Sequence, residues 1–262
     1  MATHRILNLG AGTQSSVLLI MADRGDIEAV KMAIFADTGD EPREVYEHLG
    51  WLERQMHNTP IVRVQAGDLV KESLIYQESH KGVDGRYASL PLFTPTGMQP
   101  RQCTKYYKVI PIARYVRKHV LGLAVRQHVS KETKVTQLFG ISFDERERMA
   151  KPRVKFVEHQ YPFVDLRWRR HKVIELAEKW FPDHTFPRSA CKRCPYRNDQ
   201  ELLDLTPEEF EEVCVYDDAI RTLGPHPSYV HSSRVPLRLV QLKPGSRWDG
   251  VRENECDGLC GV

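Results

Sequence analysis

The chain has 262 residues, 41% of them hydrophobic and 28% charged, with 38 Lys and Arg against 35 Asp and Glu for a formal net charge of +3. That is enough apolar material for a full α/β core with an appendage, and the charge balance is too mild to mark a nucleic-acid-binding protein by itself. No apolar run approaches the roughly 20 residues of a membrane span and no signal-peptide h-region opens the sequence, so a cytoplasmic protein is expected, in which six cysteines point to metal or redox chemistry rather than a disulfide framework.

The first element is a short apolar run around Ile6, Leu7 and Leu9, followed by Gly10, Ala11 and Gly12 and then by a helix that starts at Thr13, Gln14, Ser15 and Ser16. A strand feeding a small-residue loop and a helix aims unpaired N–H groups and the positive end of the helix dipole at whatever sits above it, and phosphate or sulfate is the natural occupant. A bulky side chain at Gly10 or Gly12 would hold an anion away from those amides, so Gly12→Val is expected to abolish binding with the fold intact. The alternative is a βα turn that needs small residues for packing. Residues 30–36 read as a second buried strand ending at Asp37, Thr38, Gly39 and Asp40. A helix over 43–56 follows, with Val45, Leu49, Leu52 and Met56 on one face, then a third strand at 61–64. Alternating strand and helix is the pattern of a parallel sheet wound by helices, with ligands beyond the C-terminal strand ends.

Residues 79–102 are rich in Gly and Pro and read as a long loop, either functional or mobile. It leads to Cys103 and a helical run with Tyr106, Val109, Ile112 and Tyr115 near one face, which Pro111 kinks or restarts. Residues 137–142 form another strand ending, with Gly140, and Arg146 and Arg148 lie downstream. A helix near 170–180 buries Val173, Ile174, Ala177 and Trp180 and carries Arg169, Arg170, His171 and Lys172 at its start, where positive charge is locally unfavourable and hints at a use outside the helix.

Cys191 and Cys194 form a C-x-x-C. Two thiolates at that spacing suit one metal centre, Lys192 and Arg193 beside them are expected to lower their pKa values, and Cys103 is the obvious third ligand. Cys214 shares a helical face with Phe210 and Val213 and reads as core. Cys256 and Cys260 stand in a glycine-containing C-terminal segment, well placed to reach a substrate.

These motifs together resemble the phosphoadenylyl sulfate (PAPS) reductase-like branch of the adenine-nucleotide α-hydrolase, or PP-loop, superfamily. Gly10 to Ser15 occupies the places of its Ser-Gly-Gly-x-Asp-Ser loop, Asp37-Thr38-Gly39 those of its second motif, and Glu255-Cys256 followed by Gly258-Leu259 resembles its Glu-Cys-Gly-Leu/Ile-His ending. The resemblance implies a Rossmann-like parallel sheet over residues 1–186 and a cysteine-bearing helical appendage and tail over 187–262. It also implies nucleotide contacts from Gly10, Ala11, Gly12, Gln14, Ser15, Ser16, Asp37, Thr38, Gly39, Gly140, Arg146 and Arg148. Cys103, Cys191 and Cys194 would then hold a 4Fe-4S cluster whose fourth position is open or filled from the tail.

The activity so implied is reduction of adenylyl sulfate or phosphoadenylyl sulfate to sulfite, with Cys256, or Cys260 at the shifted spacing, as nucleophile and a thioredoxin-like dithiol as donor. ATP-dependent, iron-sulfur-dependent sulfur transfer to a nucleic acid or other acceptor is an alternative, as is a non-catalytic nucleotide-binding module with a structural metal. Gln14 stands where ATP-using relatives place an Asp near magnesium, and a neutral amide is poorly suited to a hard cation, which favours the reductase.

Overall fold

A computed structural model describes residues 3–245. Its centre is Thr3–Leu9 (β1), which is followed by Thr13–Arg24 (α1), Met32–Asp37 (β2), Arg43–Gln55 (α2), Ile61–Gln65 (β3) and Leu69–Ser79 (α3). Two residues each in Phe93–Thr94 (β4) and Gly97–Met98 (β5) make a small antiparallel hairpin. Ile110–Tyr115 (α4) follows, then Lys134–Leu138 (β6), Val157–Gln160 (β7), Pro162–Asp165 (α5), Arg170–Trp180 (α6), Asp199–Leu203 (α7) and Pro207–Leu223 (α8).

The main sheet is five-stranded in the order β3-β2-β1-β6-β7, and every pairing in it is parallel. The expected α/β architecture is therefore present, and β1 lies in the middle because its apolar residues can be covered on both faces. Leu7 and Leu9 point to the side occupied by α1, α2 and α6, where Val17, Leu18, Leu49, Leu52, Val173 and Ala177 complete one core. Ile6 points to the other side, against Ile34, Ile112, Val116, Val135 and Val157. α1 is buried from Thr13 to Asp23, so it is an internal helix, as its nearly unbroken apolar run requires.

A second core joins residues from both sides of position 186: Leu69, Leu90, Leu92 and Tyr107 pack with Leu202, Val213, Cys214 and Ile220. The glycine- and proline-rich stretch before Cys103 is thus packed; Ala88, Leu90 and Leu92 are buried, and the Ser89 carbonyl accepts from the N–H groups of Gln102 and Cys103. α8 starts at a capping box in which Thr206 and Glu209 bond reciprocally, with Pro207 at its first position, and Cys214 is core as expected.

The helical segment after Cys103 differs from its expected form. π-helical turns over Thr104–Val109 and Val116–Val120 flank α4. Pro111 stands in the first turn of α4, directly after the π-helical turn whose next amide, that of Ile110, bonds back to the Lys105 carbonyl. Extra residues in the π turns rotate the buried face to Tyr107, Lys108, Ile112 and Val116, away from the expected Tyr106, Val109 and Tyr115.

Candidate functional site

The loop from β1 to α1 is held by the protein itself. The Gly10 N–H donates to Ser15 Oγ at 3.2 Å, and that hydroxyl donates to the Gly12 carbonyl at 3.2 Å. Ala11 lies at φ 57 in the left-handed region, with its methyl group fully buried. The Thr13 N–H donates to the Pro187 carbonyl at 3.1 Å, which lays the segment ahead of the C-x-x-C against the loop. A Cβ on Gly12 would stand 3.0 Å from both Cβ and N of Ser189, and one on Gly140 would stand 2.7 Å from the Ser15 nitrogen. Both glycines are therefore required by close approach of another backbone. This corrects the expectation for Gly12→Val: the added side chain meets Ser189, so the strap over the loop must move. Ser189 Oγ is buried there without a hydrogen-bond partner.

The side chains of the expected nucleotide contacts are largely engaged within the protein, as Ser15 already is in the loop. Gln14 Nε2 donates to Glu145 at 2.6 Å, and Arg148 and Arg170 reach the other oxygen of that carboxylate at 2.7 and 2.6 Å. Ser142 Oγ donates to Glu145 at 2.9 Å, and Arg170 also reaches Gln14 Oε1 at 3.3 Å. Burial pushes the Glu145 carboxyl up, but Arg170 and Arg148 outweigh it and hold it below the ordinary range. The positive charge at the start of α6 thus has its use here, in a role for Arg170 that the local pattern only hinted at. Ser16 Oγ lies 2.8 Å from His48 Nε2, and His48 Nδ1 lies 2.7 Å from His184 Nε2. Burial, with His184 alongside, pushes the His48 imidazole down to about 3. Arg146 lies 4.9 Å over the Phe143 ring.

At the neighbouring strand end, Asp37 accepts from the Gly39 N–H at 2.8 Å and from the Tyr46 hydroxyl at 2.7 Å. Gly39, at φ 74, makes the left-handed turn that lets the chain leave β2. Thr38 Oγ1 is 3.4 Å from Cys191 Sγ and 3.3 Å from Glu41 Oε1, which also takes Lys108 Nζ at 3.3 Å. Cys103, Cys191 and Cys194 line one apolar pocket of about 30 Å³ with Thr38, Arg101 and Lys108. The Asp-Thr-Gly motif and the cysteine motif, far apart in sequence, therefore share a wall. Among the described residues no three His, Cys, Asp or Glu side chains are grouped so as to hold a metal ion.

The electrostatics of the C-x-x-C reverse the expected shift. Burial, and the Glu41 carboxylate next, push the Cys191 thiol well above its ordinary value. Lys192 is directed to Glu212 at 2.5 Å and Arg193 to Asp40, so neither cation serves the thiols as its position in sequence implied. Asp40 is itself driven up to about 6 by burial, against the pull of Arg193. Glu41, His48 and Lys108 were not singled out from sequence; Glu41 beside the Asp-Thr-Gly turn offered the plainest signal. Cys256 and Cys260 lie outside the described residues.

No family model and no curated protein matches the chain. Among solved structures, the phosphoadenylyl-sulfate (PAPS) reductase from Candida auris in its phosphate complex is similar at a TM-score of 0.43 and 12% identity, over 72% of this chain and 75% of that one.

Proposed function

We propose that the chain is an enzyme of the PAPS reductase-like branch of the PP-loop superfamily that reduces adenylyl sulfate or phosphoadenylyl sulfate to sulfite. The observation that carries this reading is the shared pocket of Thr38, Cys103, Cys191 and Cys194 at the C-terminal end of β2, one strand away from the PP-loop-like turn. Ligands of open parallel sheets sit at such strand ends.

In this reading the Cys256 thiolate attacks the sulfate sulfur, an S–S bond forms as the sulfur–oxygen bond to the nucleotide phosphate breaks, and AMP or its 3′-phosphorylated form leaves. A dithiol donor then attacks the cysteine sulfur of the thiosulfonate, releasing sulfite and becoming a disulfide. Three thiols with no imidazole among them are the soft donor set of a 4Fe-4S cluster, which Cys103, Cys191 and Cys194 would hold once drawn together, since as placed they are not grouped closely enough to bind a metal ion. When bound, such a cluster supplies a charged, polarisable group beside the nucleotide. Arg101 and Lys108 line the same pocket, Lys108 in an ion pair with Glu41. Gln14 supports the reductase over ATP-dependent chemistry, because its amide is engaged by Glu145 and Arg170 and offers no oxygen anion to magnesium.

One observation favours a second reading. The pocket carries three cysteines, and an iron left open at a three-cysteine cluster could hold the sulfur used in ATP-dependent thiolation of a nucleic acid or other acceptor. The test is anaerobic purification of the full chain with iron and labile sulfide measured, then incubation with adenylyl sulfate, phosphoadenylyl sulfate or ATP in the presence of thioredoxin. The reductase reading expects sulfite and a sulfonate adduct on the Cys256 peptide. ATP consumption without either supports thiolation, and stoichiometric zinc with no turnover supports a non-catalytic module.

A further inference from the structure

The mild net charge of the chain conceals a segregation. Residues 104–134, which run from the first π turn through α4 to the start of β6, hold eight Lys and Arg and one carboxylate, Glu132. That stretch carries +7, which leaves the rest of the chain at −4 against the whole-chain +3. The layer it forms covers one face of the sheet. Ile112, Val116 and Val120 face inward onto Ile6, Ile34, Val135 and Val157, and Arg114 and Lys118 are left exposed on the outer side.

Three of the eight cations are used within the protein. Lys108 is buried against Glu41, Lys134 is paired with Glu158, and Arg117 donates to the Gln127 carbonyl at 2.6 Å, which ties the loop over residues 122–131 alongside the helical segment. Lys105 lies 5.0 Å over the Tyr106 ring. Arg114, Lys118, Arg126 and Lys131 are exposed, and none of them is paired with a carboxylate among the described residues. Elsewhere on the surface Arg24, Arg43, Arg63 and Arg238 each sit against an Asp or Glu. Arg126 is moreover held at φ 66, a left-handed conformation in which Gly or Asn costs less. The helix dipole accounts for Lys118, in the last turn of the segment, but not for Arg126 or Lys131 beyond it.

Unpaired side chains of one sign repel each other and gain only when counter-charge is laid along them, and a nucleic-acid duplex carries one negative charge per roughly 1.7 Å of its axis. Single strands are held largely by stacking on open rings, and here the Tyr115 ring is already stacked on His119 at 4.6 Å. A membrane surface would require an apolar face beside the cations, whereas Val125 is the one exposed large hydrophobic residue among residues 104–134. A pocket of about 280 Å³ opens beside Ile110 and Ala113, lined by Asn8, Gln137 and His159 from the sheet and by Lys105, Lys151 and Arg153. None of the four unpaired cations lines that pocket or the cysteine pocket.

We propose that the outer face of residues 114–131 binds the phosphate backbone of a nucleic-acid duplex through Arg114, Lys118, Arg126 and Lys131. Phosphate contacts carry no sequence information, so the binding is expected to be independent of sequence. The surface uses no residue of the cysteine pocket or of the PP-loop-like turn, and the proposal stands whichever reaction the chain performs.

The test is anisotropy titration of the full chain with a labelled DNA duplex of about 20 base pairs between about 50 and about 200 mM salt, with a single strand of equal length and phosphatidylserine vesicles alongside. Four phosphate contacts should give a slope of roughly 3 to 4 in log Kd against log salt, and the single strand should bind at least about threefold more weakly. Arg114→Gln/Lys118→Gln/Arg126→Gln/Lys131→Gln should weaken duplex binding at least about tenfold, and Lys118→Gln alone should lower the slope by about 1. Arg43→Gln/Arg63→Gln/Lys172→Gln/Lys179→Gln removes the same charge from other exposed positions and should stay within about threefold of the parent chain. Sulfite formation plays no part in these readouts, so failure of the reductase reading leaves the test standing. No duplex binding at the lowest salt, equal losses in the two fourfold variants, a single strand bound as tightly as the duplex, or binding to vesicles alone would overturn the proposal.

Discussion

Two pockets flank the helical segment that begins at Cys103, and they are built in opposite ways. The cysteine pocket is small, at about 30 Å³, and its charges are compensated from within, Glu41 by Lys108 and Asp40 by Arg193. The Asn8 pocket is about 280 Å³ and, among the described residues, is lined by three cations and no carboxylate. A compensated site suits a group that stays, because its charge is already balanced by the fold. A lining of one sign draws counter-charge from solution, since its field is satisfied only when an anion binds.

The largest effect expected to sharpen this contrast comes from Cys191→Ser. Under the proposed function it should remove most of the iron from anaerobic preparations and lower turnover at least about hundredfold, by loss of a soft ligand. Far-UV circular dichroism should stay unchanged, and a loss of folded structure would break the separation of the two pockets. Next is Glu41→Gln, which withdraws the carboxylate facing buried Lys108 and should cost on the order of 3 kcal/mol in urea unfolding. If stability is unchanged, the internal compensation of the cysteine pocket carries no weight.

Acid acts on the scaffold that both pockets share. The unfolded chain protonates His48 near 6.5, whereas the folded chain does so only near 3. Between those values the unfolded state binds more protons, so the contribution is complete above about pH 6.5 and is lost as pH falls, by at most about 1.4 kcal/mol per unit. His48→Gln should flatten that limb of the urea midpoint measured against pH. The smallest effect is expected at Lys192→Ala. Its partner Glu212 is half-exposed, so stability should change by less than about 0.5 kcal/mol. The alkylation rate of the C-x-x-C should also stay within about twofold, whereas a large fall would restore the thiol-activating role implied by sequence.

The contrast also explains what could be read in advance. The cysteine pocket is carried by a C-x-x-C and an Asp-Thr-Gly turn, whose chemistry is compressed into a few consecutive residues. The first two strands were legible for a related reason: their apolar runs are buried on both faces of a parallel sheet. Asn8, Gln137 and His159 are unremarkable singly, and only the parallel pairing of their three strands brings them to one pocket. Partner choice was hidden in the same way. Lys192 and Arg193 flank thiols along the chain, yet backbone geometry sends them to Glu212 and Asp40. The rotated helical face after Cys103 follows from π turns, which shift the period that pattern reading assumes.

The central position of β1 has a consequence for how the molecule forms. One edge of β1 is closed by β2, which follows shortly, but its other edge pairs Ile6 with Gln137, and Thr13 then waits for Pro187. A chain emerging from the ribosome therefore holds an unpaired, apolar strand edge through half of its synthesis, and the loop above it acquires its strap only later. Such non-local closure slows folding and leaves a template for mispairing with other chains. The N-terminal half alone should be a substrate for chaperones, and the contacts that bring Ser189 onto Gly12 should be among the last to form.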